Sequence, residues 1–113
     1  MKHKLSQVNN RITVVTCAYD QPDDLLKTLC SLETLKIKPY AVIVVTTKLK
    51  KEVLEYQRST QSNLSIISVQ DTGQGVYSAM NLGLQKVVTD LVIYLNAGDI
   101  VYGEPFSCIH GPS

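Results

Sequence analysis

The chain has 113 residues, 44% of them apolar and 19% charged, and its eleven basic against ten acidic side chains leave a formal charge of +1. That balance belongs to a single globular domain, not to a disordered or fibrous chain. The lack of a Lys/Arg run argues against nucleic acid as a partner, and no apolar run reaches the ~20 residues of a membrane helix, so a cytoplasmic location is expected.

Residues 1–10 contain two lysines and no apolar core, and are expected to form a flexible amino-terminal arm ahead of a domain spanning 11–104. The first strand is predicted over 12–17, where Ile12, Val14 and Val15 are β-branched and nearly continuous, the pattern of a strand covered on both faces. Pro22 at a first helical turn, Asp23 and Asp24 at the positive end of the dipole, and the stripe Leu25, Leu26, Leu29 and Leu32 predict a helix next. A second strand follows at 42–45, again β-branched. A second helix is predicted at about 50–58, with Val53, Leu54 and Gln57 on related faces; Lys48, Lys50 and Lys51 mark its solvated start. A third strand is read at 64–69. A third helix opens at Gly75, with Val76, Met80, Leu84 and Val87 recurring at three- and four-residue steps. The fourth strand is read at 91–95, and residues 105–113, with Gly111 and Pro112, read as an irregular tail.

Strands alternating with helices predict an α/β fold, a three-layer α/β/α sandwich on a mostly parallel sheet with right-handed crossovers. Cys17, Cys30 and Cys108, odd in number and widely spaced, fit neither a disulfide framework nor a zinc site and read as small buried hydrophobes.

In such a sheet, ligands bind outside the carboxyl ends of the strands, where strand order reverses. Residues 16–21, Thr46 and Thr47, residues 70–74 and residues 96–99 belong to that edge, so Tyr19, Asp20, Asp71, Asn96 and Asp99 are predicted to converge. Taken singly, Gly73 and Gly75 are no more than a turn before a helix, and Asn96, Ala97, Gly98 and Asp99 are all compatible with an ordinary turn. Gly73, Gly75 and Ser78 match part of a dinucleotide fingerprint, but Ser78 replaces its third glycine and the segment follows the third strand, which disfavours a nicotinamide site.

Taken together, Gly75-Val76-Tyr77-Ser78-Ala79-Met80-Asn81-Leu82-Gly83 and Tyr94-Leu95-Asn96-Ala97-Gly98-Asp99 resemble segments of the family 2 glycosyltransferases of bacterial polysaccharide synthesis. The opening Ile12-Thr13-Val14-Val15-Thr16-Cys17-Ala18-Tyr19-Asp20 looks like that family's first strand, and Leu29, Ser31 and Leu32 fall where its first helix has a Ser-Leu pair. The resemblance covers residues 11–104 and implies the Rossmann-like, nucleotide-sugar-binding half of a GT-A domain.

The resemblance further implies that Asp99, with Asn96 nearby, holds a Mg2+ or Mn2+ ion bridging the two phosphates of a nucleotide-diphosphate sugar. It implies that Thr16, Ala18 and Tyr19 line the base pocket, that Tyr77 and Asn81 face the donor, and that Asp71 stands where relatives carry an acid. Thr46 and Thr47 replace a base-reading aspartate, Ser78 and Gly73 replace further acids, and the acceptor site and general base that relatives supply from their second half are expected to be missing. The expected function is therefore binding of a nucleotide-diphosphate sugar with a divalent cation and transfer of the sugar to a hydroxyl. The alternative is a non-catalytic remnant that acts through oligomerisation or protein interaction. A homo-oligomer is expected on either reading, because the apolar edge would otherwise lie open.

Overall fold

A computed structural model describes residues 7–106 of the chain. Its elements are β1 (Gln7–Ala18), α1 (Pro22–Glu33), β2 (Ile37–Thr46), α2 (Lys50–Thr60), β3 (Ile66–Gln70), α3 (Val76–Leu84) and β4 (Leu91–Asn96). The strands form one sheet in the order β3-β2-β1-β4, and every neighbouring pair is parallel.

That order follows from crossover handedness. The chain steps one way from β1 to β3, so right-handed connections place α1 and α2 on the same face; it then returns past β1 to β4, which puts α3 on the other. Burial agrees with the alternation of a strand. Ile12, Val14, Val42 and Val44 share a core with Leu25, Leu29, Leu32, Val53 and Tyr56 from α1 and α2. Val15, Ile43 and Val45 pack with Ala79 of α3 on the opposite side. The result is the expected three-layer sandwich.

The strands run further back than the β-branched runs suggest. β1 begins at Gln7, so four residues expected in a flexible arm lie in the sheet, and β2 begins at Ile37. The added pairing holds a register shift: Asn9 pairs with Pro39 and Thr13 with Ala41, leaving extra residues on β1 opposite a proline that has no N–H to give. The Asn9 side chain occupies this irregularity by accepting from the Arg11 N–H and donating to the carbonyl of Phe106.

Phe106 itself falls in the segment expected to be an irregular tail, yet its ring is buried in the α1/α2 core. Residues after β4 thus return along the sheet to its amino end, where Glu104 also accepts from the Ile37 N–H. The rest of the expected tail, from 107 on, lies outside the described residues.

Two helices turn slightly from their expected faces. In α2, Tyr56 is buried and Leu54 exposed. In α3 the side facing the sheet carries Ala79, Leu82 and Gly83, whereas Leu84 is exposed and the helix ends before Val87. Small residues decide this orientation. A Cβ on Gly83 would lie 2.6 Å from Val15 Cγ1 and 3.1 Å from Val45 Cγ2, so glycine is what lets α3 approach the sheet this closely. Among the described cysteines, Cys17 is half-buried and Cys30 exposed, so burial does not explain Cys30; Cys108 lies outside the described residues.

Candidate functional site

Strand order reverses between β1 and β4, whose register runs to Cys17 opposite Asn96. Their carboxyl ends therefore open the switch-point crevice where α/β sheets bind ligands. Tyr19 and the turn at 96–99 stand on the same rim because the two strands end in register. Thr47, at the adjacent end of β2, donates its hydroxyl to the Tyr19 carbonyl at 3.3 Å and ties the neighbouring tip to this one.

The turn at 96–99 closes through a bond from the Asp99 N–H to the Asn96 carbonyl at 2.9 Å. Gly98 takes φ +104°, a backbone region that other residues rarely enter. The Asp99 side chain folds back, its Oδ2 accepting from the Asn96 N–H at 2.7 Å. Both Asn96 and Asp99 are exposed on the rim. Asp24, at the start of α1, is the neighbouring carboxylate: a Cβ added to Gly98 would sit 3.5 Å from its Cγ.

A hydroxyl on α1, which the sequence reading passed over, holds the same turn. Thr28, fully buried, accepts from the Gly98 N–H at 2.9 Å and donates to the Asp99 carbonyl at 2.8 Å. One helical turn later, Ser31 donates to the Thr28 carbonyl at 2.8 Å and accepts from the Val101 N–H at 3.1 Å. A threonine three residues from a serine on one helix face was the available signal, but it looks no different from two ordinary polar residues beside a leucine stripe.

On the α3 side of the rim lies Asp71, 3% exposed. Its backbone N–H extends the β2 pairing to the Thr46 carbonyl, and its Oδ1 accepts from the Gly73 N–H at 3.0 Å. Its Oδ2 is buried with no protein partner. Burial, and after it the Asp71 carboxylate, raises the Cys17 thiol above its ordinary value, so Cys17 stays a thiol at neutral pH and a poor nucleophile. The same two causes raise the Tyr19 phenol, which therefore remains a hydrogen-bond donor.

The remaining sequence-predicted residues divide. Ala18 is buried at the base of the crevice. Thr16 is also fully buried, with an Oγ1 that has no partner, two positions below the rim on the α1 side. Thr46 is not offered to a ligand: its Oγ1 accepts from the N–H groups of Lys48 and Leu49, at 3.3 and 3.0 Å, and so holds the turn that leads into α2. Tyr77, 86% exposed, projects from the first turn of α3. Asn81 lines a separate concavity of about 240 Å³ with Thr72, Gln74, Ser78, Leu82 and Gln85, none of which belongs to the 96–99 turn. Among the described residues no cluster of three or more His, Cys, Asp or Glu side chains could hold a metal. Asp99, with one oxygen already used and Asp24 as its neighbouring carboxylate, fits a cation carried mainly by a ligand's phosphates, the usual manner of Mg2+.

Among the described residues no helix is long and apolar enough to cross a membrane. No curated protein matches the sequence. Among solved structures, the crystal structure of S. aureus TarS is similar to this chain, with a TM-score of 0.60 and 19% identity, covering 83% of this chain and 18% of that one. At that identity the likeness is one of fold, and this chain spans less than a fifth of the length of TarS. The sequence model of glycosyl transferase family 2 matches residues 13–105, nearly the whole domain described above. The chain belongs to glycosyl transferase family 2.

Proposed function

We propose that the crevice between the carboxyl ends of β1 and β4 binds a nucleotide-diphosphate sugar together with Mg2+ or Mn2+. The observation that carries this reading is the register of Cys17 with Asn96, which brings the acidic turn and Tyr19 to one rim. Asp99 keeps its second carboxylate oxygen for a cation whose other ligands are the donor's phosphates and water. The cation would offset charge on the departing diphosphate. Tyr19 and Ala18 line the base end, and Asp71, whose buried Oδ2 has no protein partner, is the acid assigned to an N–H of the base, a role that Thr46 cannot take because its hydroxyl already accepts from the Lys48 and Leu49 N–H groups.

Binding of the donor is the first step, and transfer of the sugar to a hydroxyl acceptor is the reaction class it serves. Titration calorimetry with UDP, GDP and dTDP, with and without Mn2+, tests the reading. Metal-dependent binding that is lost in Asp99→Ala supports it; binding indifferent to both the metal and the substitution overturns it.

The edge position of β4 favours a second reading. Tyr94, Ile100 and Tyr102 are exposed beside that edge, and an exposed apolar strand edge invites another chain. A dimer in solution that binds none of the three nucleotides would favour this self-association role.

A further inference from the structure

The geometry points to Thr28 of α1 as the positioning residue of the 96–99 turn, an inference that rests on the donor-binding reading and adds a residue outside the crevice. A threonine in the middle of a helix ordinarily returns its hydroxyl to the carbonyl one turn earlier. Thr28 instead directs it across to the loop after β4. A hydroxyl has one proton to give and lone pairs to accept with. Here the proton goes to the Asp99 carbonyl at 2.8 Å, with the Asn96 carbonyl a more distant 3.4 Å, and a lone pair takes the Gly98 N–H at 2.9 Å. The proton and a lone pair of the side chain are thus both spent on residues of one turn.

Apart from Ala97, which packs against the α1/α2 core, the turn has few other ways to hold its place. Its side chains at 96 and 99 are exposed, and Gly98 brings no side chain to pack. The remaining polar anchors are internal: the Asp99 N–H to the Asn96 carbonyl, and the Asn96 N–H to the Asp99 carboxylate. These bonds fix the turn's form, while Thr28 fixes its position against α1. Ser31 repeats the device one turn on and holds Val101. The place from which Asp99 presents its carboxylate is therefore set from α1, three strands and two helices away in sequence.

The test compares Thr28→Val, which keeps the shape and removes the hydroxyl, with Thr28→Ser, which keeps the hydroxyl. In Thr28→Val, amide exchange at Gly98 should accelerate at least about tenfold while the amides of β1 and of α1 keep their protection. The Kd for UDP with Mn2+ should rise about tenfold, and the Kd without metal should change less than about twofold. Thr28→Ser should behave as the unsubstituted chain in both respects, and Ser31→Ala should expose Val101 to exchange while leaving Gly98 protected. Unchanged exchange at Gly98, loss of protection spread evenly over the domain, or a serine variant as impaired as the valine one would each overturn the assignment. UDP binding by the unsubstituted chain that ignores Mn2+ would sink the donor reading alone, and the exchange pattern would still decide whether Thr28 sets the turn.

Discussion

Both rims of the sheet close polar groups into bonds, but they differ in what they leave over. At the amino-terminal rim, side chains are closed into pairs: Arg11 with Asp90, the Thr13 hydroxyl with that of Thr89, Lys38 with the Leu35 carbonyl, and Asn9 with the Phe106 carbonyl. Toward the carboxyl-terminal rim, the Thr16 hydroxyl and one oxygen of Asp71 are buried with no partner, and Asn96 and Asp99 stand exposed. A buried polar group without a partner costs about 1–3 kcal/mol, and a fold keeps such groups where something other than stability selects them. One further orphan, the Glu52 Oε1 in the first turn of α2, lines a groove with Leu26 and Cys30 of α1 and has no such account. On the proposed function, one rim holds the domain together and the other takes the ligand, so substitutions at the two should separate stability from binding.

Phe106→Ala should give the largest effect. The ring is 2% exposed in the main core, and truncation of a buried phenylalanine costs about 3–5 kcal/mol. Chemical denaturation should show that loss, while nucleotide affinity measured on the remaining folded protein stays unchanged. An altered affinity would break the division between the rims.

Asp99→Ala should do the reverse. The side chain is exposed and its one bond is to a backbone N–H within its own turn, so the melting temperature should move little. The gain in UDP affinity given by Mn2+ should disappear, a difference of about tenfold or more by calorimetry, or about 1.4 kcal/mol.

Asp71→Asn should show a smaller and more pointed effect. The amide keeps an acceptor for the Gly73 N–H but removes the buried charge, so stability should change by no more than about 1 kcal/mol. Nucleotide affinity should fall about tenfold or less, whether or not metal is present, because the loss falls at the base and not at the phosphates. A loss confined to the metal-bound state would place Asp71 with the cation instead.

Much of this division was legible in the sequence, and the parts that were not have physical reasons. The β-branched runs at 12–17 and 42–45 report strands buried on both faces, and the structure extends them through Asn9, Asn10 and Pro39, whose types speak against a strand; Asn9 pairs with Pro39 and Asn10 falls in the register shift that follows. The Asn96-Ala97-Gly98-Asp99 turn reads from its residues because glycine at a positive φ leaves a local mark. Thr28, Phe106 and Gly83 do not read so easily, since each acts through a contact with a distant part of the chain. Gly83 shows this best: large apolar residues suggested the buried stripe of α3, but the space beside Val15 admits only the absence of a side chain. Thr46 is legible from its position at a strand end, whereas its hydroxyl serves the turn that follows.

The smallest effect belongs to the amino-terminal rim and tests whether its closed pairs matter only for stability. Arg11 reaches Asp90 through two nitrogens, at 3.0 and 3.3 Å, bridging β1 to the residue before β4. The hydrogen bond from Arg11 lowers the Asp90 carboxyl below its ordinary value. A carboxyl lowered in the folded state adds stability that is present above its unfolded pKa, about 3.9, and is lost as pH falls through the lower folded value. Because both side chains are largely exposed, solvent and salt screen the pair. Arg11→Ala should therefore lower the melting temperature slightly at neutral pH and low salt. The difference from the unsubstituted chain should vanish in 1 M NaCl and again in acid below the lowered Asp90 value, with UDP affinity the same throughout. A melting difference that survives both high salt and acid would mean that Arg11 acts through the packing of its stem along the sheet edge and not through its charge.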